Sequence, residues 1–272
     1  MGIVVRSSLE ANNANKNLAR TSRALSRNFE KISSGLRIAR SADDAAGLGV
    51  AENLKALHRS ADQAARNIND GFSLISVADG AASEVGSILT RLRELAVQSS
   101  SETLDDTERQ YIRDEADQLR SEITRISAVT EFNGIAIGGT STTLDVQVGV
   151  RGTASDLISI TTGDLGGLVA TAAVDFTDAT SSQGSITTID DAIDDLSSIR
   201  SVYGATENRL SNALNNIETF SEANKAAESR IRDADFGIET AALSQNQILQ
   251  QAGVSILAQA KGLNQSALSL LQ

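Results

Sequence analysis

Small and apolar residues alternate in steps of four and three along one stretch: Leu57, Ala61, Ala64, Ile68, Gly71, Ile75, Ala78, Ala82, Val85, Leu89, Leu92 and Ala96. A 3.5-residue period held in one register over forty residues is the pattern of a left-handed coiled coil. As a helix the stretch spans roughly 60 Å at 1.5 Å per residue. No proline occurs in the 272 residues, so nothing in the chain forces a helix to break. Aromatic residues make up only 3%, which leaves an aliphatic, alanine-rich core.

The spacing predicts the ends of this helix and two more. Ser41 with Asp44 three residues on suits its start, and the SSSET cluster from Ser99 its stop. A second helix begins between Thr103 and Asp106, carries Ile112, Ala116, Leu119, Ile123 and Ile126 on one face, and stops at the turn-forming Asn133-Gly134. A third begins near Ile186 and aligns Ile189, Ile193, Leu196, Tyr203, Leu210, Leu214, Ile217 and Ile231. Between the second and third, Leu144, Val146, Val148 and Val150 alternate with other residues and Leu157 to Thr162 forms a second β-like run, so a hairpin is predicted. Residues 163–185, rich in Gly, Ser, Thr, Ala and Asp, read as surface loop with minor strand.

The two ends have the helical period without the apolar content to stand alone. In the first forty residues Val4, Ala11, Leu18, Leu25, Phe29, Ile32 and Leu36 share their register with Ser8, Asn15 and Ser22. At the other end Ala242, Leu249, Ala252, Ile256, Leu263 and Leu270 share theirs with Gln245, Gln259 and Ser266, and after Thr240 only Lys261 is charged. An isolated helix is marginal in water. Both end segments are therefore expected to gain order on association, with Leu18, Leu25, Phe29, Ile32, Leu36, Leu249, Ala252, Ile256, Leu263 and Leu270 as the packing residues.

Residues that could carry chemistry are scarce. There is no cysteine, and the one histidine, His58, falls among charged neighbours of the first long helix, where a solvated surface role is expected. Asp190, Asp191, Asp194 and Asp195 cluster near the start of the third helix and are read as favouring the positive end of its dipole. Asp235-Phe236-Gly237 lacks the companion motifs of a kinase, and Gly47-Leu48-Gly49 lacks a preceding strand, so both are chance. No catalytic residue, metal site or cofactor is expected.

The formal net charge is −11, yet residues 1–40 carry eight Lys and Arg against Glu10 and Glu30. That basic arm has no interleaved aromatics to stack on bases, which argues against nucleic acid. No run of transmembrane length is seen, and no secretory h-region in the opening residues, so membrane insertion is not expected and export, if any, takes another route.

Specific strings go further than periodicity. "KISSGLRIARSADDAAGLGVAENLKA" (31–56), "QAARNINDGFSLISVADGAASEV" (63–85), "LTRLRELAVQSS" (89–100), "EFNG" (131–134), "YGATENRL" (203–210) and "ESRIRDADFGIET" (228–240), with the "LAQA" and "LSLL" of the tail, resemble bacterial flagellin in sequence and order. The resemblance implies a mainly α fold, an elongated helical bundle or coiled coil of paired N- and C-terminal helices with a small β-hairpin region. It implies an inner assembly domain of residues 1–42 with 235–272 and an outer helical domain of 43–234, whose hairpin region covers about 134–185. In the inner domain the apolar tail is expected to pack on the N-terminal helix and on the equivalent helices of neighbouring copies. Only about fifty residues separate the two halves, so a minimal flagellin without large variable outer domains is expected.

The implied function is a non-enzymatic structural subunit that polymerises into the bacterial flagellar filament used for swimming, exported without signal cleavage. Implied partners are further copies of itself, an export chaperone at the C-terminus, and the filament cap and hook-junction proteins. The flagellin-sensing Toll-like receptor is a further one, and by motif its recognition falls on Arg91, Leu95 and Glu115. Two rival readings are a hook–filament junction protein, against which "RELAVQ" and "SRIRDAD" weigh, and a helical signalling or receptor module.

Overall fold

The computed structural model describes residues 9–171 and 174–269. Six helices, α1 (Leu9–Ser34), α2 (Ala45–Ser99), α3 (Asp106–Val129), α4 (Leu165–Thr171), α5 (Ala179–Arg232) and α6 (Phe236–Ser269), are joined by four short strands, β1 (Glu131–Phe132), β2 (Ile135–Ala136), β3 (Thr143–Gln147) and β4 (Leu157–Thr161). The chain divides into two compact units, residues 1–56 with 223–272 and residues 57–222.

In the unit of residues 57–222 the 4-3 seam of α2 is the core. From Ala61 to Ala96 every seam position is buried, Gly71 included. Each Leu or Ile so covered contributes about 1.5–3 kcal/mol. α5 runs antiparallel to α2 in a single register: Ser99 meets Ser182, Arg93 meets Asp190, Asp79 meets Arg200, and Asp62 meets Ser221. α3 adds Ile112, Ala116 and Ile123 to the same core. One 18-residue stretch of α2 reaches a mean hydropathy of 1.2, enough by length and composition for a membrane span and contrary to the sequence expectation. Its apolar seam faces the core instead.

Local signals explain the boundaries. α3 opens on a capping box in which Asp105 accepts from the Glu108 amide at 2.7 Å while Glu108 accepts from the Asp105 amide at 3.1 Å. α2 starts later than Ser41 suggests: Asp44 is its cap, accepting from the Gly47 amide at 2.9 Å. A side chain at Gly47 would collide with that same Asp44 and with Ile38. Asn133 and Gly134 both take positive φ, 51° and 77°, the geometry of a type I′ turn, and this closes β1 onto β2. β3 and β4 pair antiparallel from Thr143↔Thr161 to Gln147↔Leu157, the hairpin that the alternation predicts.

Residues 163–185 depart from the expected surface loop. They hold α4 and the first turns of α5, contain no strand among the described residues, and bury Leu165, Leu168 and Phe176 in the core. α5 begins at Ala179 because Asp178 caps it, accepting from the Ser181 amide at 2.8 Å. Its 4-3 seam then continues through Ser182 and Ser185, both buried, whose hydroxyls are satisfied by the Asp178 and Ser181 carbonyls. The four aspartates 190–195 consequently lie well inside α5, not at its positive end, and the dipole reading does not hold. Asp190 instead answers Arg93 at 2.6 Å. His58 is half-buried on α2 and not fully solvated.

Hydrogen bonds from guanidinium or hydroxyl and amide groups hold the carboxyls of Asp190, Glu122, Asp175 and Asp178 below their ordinary values. A depressed folded-state pKa contributes stability that is present above the unfolded value and lost as pH falls through the folded one. The melting temperature followed by circular dichroism is therefore expected to hold from pH 7 to 5 and to decline below about pH 4.

Candidate assembly surface

α1 and α6 lie antiparallel in the other unit. Lys31 pairs with Glu239 at 3.1 Å, and Leu18 approaches Gly253 thirteen residues back along α1. The connectors that feed them are tied to one another: the Arg37 amide donates to the Arg232 carbonyl at 2.7 Å, the Ala234 amide donates to the Gly35 carbonyl at 2.9 Å, and Arg232 pairs with Glu52 at 3.0 Å. Asp235 caps α6, accepting from the Gly237 and Ile238 amides, so the Asp-Phe-Gly string serves as a helix start.

Which face of α6 turns toward α1 decides what the pair can do. As far as Leu257 the half-covered positions are Glu239, Ala242, Leu243, Asn246, Gln250, Gly253 and Leu257. Glu239, Leu243, Asn246, Gln250, Gly253 and Leu257 form a 4-3 row in which only the two leucines are bulky and apolar. Four large apolar residues lie on another face: Ile238 is 68% exposed, Ile248 66%, Leu249 49% and Ile256 58%, and Ala252 is exposed among them. Val254, also exposed, flanks the seam on its other side. The expected packing of the Leu249–Ile256 stripe on the N-terminal helix within one chain is thus corrected. The seam that meets α1 runs one residue further along the chain, through Leu243, Gln250 and Leu257, and the expected stripe is left over. The Leu263 side chain and Leu270 lie outside the described residues.

On α1 the inward row is Ala11, Ala14, Leu18, Thr21, Leu25, Asn28 and Ile32, all half-buried, and Leu36 is half-buried just beyond the helix. Phe29 faces out and is half exposed. The sequence register missed Ala14, Thr21 and Asn28, and on α6 it missed Leu243 and Leu257 inside and Ile238 and Ile248 outside. The available signal was that α6 carries apolar residues in two neighbouring registers, of which a single partner helix covers only one.

The expected receptor residues lie on α2 and α3. Arg91 bridges Glu94 and Glu115, each at 2.9 Å, and hydrogen bonds to Glu94 first and then Glu115 hold its pKa above the ordinary value. Both members of the Arg91–Glu115 pair are about half exposed, whereas Leu95 is only 1% exposed and belongs to the core. Among the described residues no group of three His, Cys, Asp or Glu could hold a metal ion.

The family descriptions "bacterial flagellin N-terminal helical region" and "bacterial flagellin C-terminal helical region" match residues 5–137 and 186–271. The flagellin of Halalkalibacterium halodurans is 42% identical over 272 residues, which cover 99% of this chain and 100% of that one. The chain belongs to the bacterial flagellin family. The Bacillus subtilis flagellin is 35% identical with 98% and 99% covered. The crystal structure of Bacillus cereus flagellin superposes with a TM-score of 0.51 at 29% identity, covering 56% of this chain and 88% of that one. As a flagellin the chain is a structural subunit that polymerises into the flagellar filament used for swimming, and such filaments are extracellular. At 272 residues it is a minimal form without large outer domains.

Proposed function

We propose that the outward row of α6, Ile238, Ile248, Leu249, Ala252 and Ile256, is the face by which subunits pack in the filament, joined by Phe29 and Leu36 and, on the sequence register alone, by Leu263 and Leu270, while Leu18, Leu25 and Ile32 support it from the seam between α1 and α6. In this reading residues 1–42 with 235–272 form the inner assembly domain and 43–234 the outer one. The observation that carries it is the exposure of four large apolar side chains, Ile238, Ile248, Leu249 and Ile256, along one side of a helix whose seam with α1 is already occupied. Water-exposed rows of this kind mark interaction sites. Before assembly the same row would be shielded by an export chaperone bound at the C-terminus, and the chain would leave through the flagellar secretion apparatus without signal cleavage. The cap and hook-junction proteins would meet the ends of the polymer.

Recognition by the flagellin-sensing Toll-like receptor would use the exposed Arg91–Glu115 pair. Leu95, being buried, would fix α2 beneath that pair and offer little surface of its own. Electron microscopy after seeded polymerisation tests the assembly reading: the intact chain is expected to give long filaments and a chain lacking 240–272 none. Filaments from the truncated chain would refute it.

A further inference from the structure

Residues 57–222 hold 26 Asp and Glu against 11 Lys and Arg, so a cationic rim in this unit is unusual. One exists. A groove of about 410 Å³ between the tip of the β3–β4 hairpin and α5 is lined by Val150, Leu157, Ile217 and Phe220 together with Arg151 and Arg209. Neither guanidinium has an ion-pair partner among the described residues. One acid, Asp156, also lines the groove, where its carboxylate accepts from the Thr153 hydroxyl.

The same unit carries a feature of opposite character. Tyr111 on α3 is 69% exposed, the most exposed large apolar side chain described in this unit. Its helical neighbours one turn away include Glu108, Asp114 and Glu115. It is an aromatic knob set among carboxylates. The groove is a mixed apolar and polar hole with two arginines in its lining.

We infer that Tyr111 of one subunit seats in the Val150–Phe220 groove of a second copy, with the flanking Asp114 carboxylate meeting Arg151 and Arg209. This rests on the filament reading and names a contact the exposed α6 row does not supply. A tyrosine ring brings a large buried area at low conformational cost. The cationic rim supplies charge complementarity that an uncharged hole would lack. Knob and hole share no residue, so the contact is heterologous, and a heterologous contact that does not close on itself propagates as an open helical array.

The absence of cysteine makes the test clean. Filaments of the chain carrying both Tyr111→Cys and, at a residue that lines the groove, Asn216→Cys, mildly oxidised, are expected to give a ladder of disulfide-linked oligomers on non-reducing gels, and either single variant is not. Tyr111→Ala, and separately Asp114→Arg or Arg209→Asp, should raise the critical concentration at least tenfold with unchanged helicity, and Asp114→Arg with Arg209→Asp in one chain should restore much of it. Filaments of the double-cysteine chain without a ladder, or Tyr111→Ala polymerising at the wild-type concentration, overturn the contact while leaving filament formation intact. A wild-type chain that never polymerises removes the filament reading and this contact with it.

Discussion

Replacing Leu249 and Ile256 together by lysine is expected to abolish filament growth and to leave the helical content and melting of the chain unchanged. Both side chains are about half exposed in the single chain, so little of their burial is lost there. Lysine is also nearly as good a helix former as leucine and better than isoleucine. In the polymer the account differs, because each covered Leu or Ile contributes about 1.5–3 kcal/mol and each ammonium would have to shed water. Losing about 4 kcal/mol per subunit corresponds to roughly a thousandfold rise in critical concentration. Sedimentation of seeded reactions measures it, and filaments at the wild-type concentration would show that this row lies outside the subunit interface.

The parts of the fold legible in the sequence were those where volume and period agree. Ile68, Val85, Leu89 and Leu92 announce the α2 seam, and each is buried where the 4-3 spacing puts it. The β3–β4 hairpin and the Asn133-Gly134 turn were legible for the same reason, since alternation and φ > 0 chemistry are local. What escaped were seam positions filled by small hydroxyl residues. Ser182, Ser185, Thr206 and Ser221 occupy the core stripe of α5, yet a hydropathy reading takes them for solvent-facing. Their polarity is neutralised by acceptors that only the folded chain supplies, such as the Val202 carbonyl for Thr206 and the Asp62 carboxylate for Ser221.

The candidate surface divides along the same line. Leu249, Ala252 and Ile256 were legible as one apolar row, but which row meets α1 was not. The seam that does so, Glu239 to Leu257, interrupts its two leucines with Asn246, Gln250 and Gly253, so its apolar signal is weaker than that of the row beside it. Its place is set by partners on α1, Lys31 for Glu239 and Leu18 over Gly253, which no reading of α6 alone contains. Tyr111 and the Arg151–Arg209 rim come from three separate elements, so no local pattern could connect them.

Arg109→Met is expected to cost about 3 kcal/mol of stability, read as a lowered urea midpoint with the slope retained. Arg109 is buried in the first turn of α3, and its guanidinium donates to the carbonyls of Ser99, Ser101 and Leu104, at and just beyond the C-terminus of α2. The last carbonyls of a helix have no amide partner of their own, and the negative end of the dipole favours a cation there. Methionine keeps much of the aliphatic stem and none of the donors, so the Ser99 and Leu104 carbonyls lose their guanidinium at about 1–3 kcal/mol each, partly offset where water can enter, while the Ser101 carbonyl keeps the Leu104 amide. Arg109→Lys should recover only part of the loss, since a single ammonium lacks the planar fork that reaches several acceptors at once. The turn so fixed also sets α3 against α2, so the Arg91–Glu115 pair should loosen together with it. If Arg109→Met unfolds within about 0.5 kcal/mol of the wild type, the ordinary range for a surface substitution, the clamp does not hold this corner.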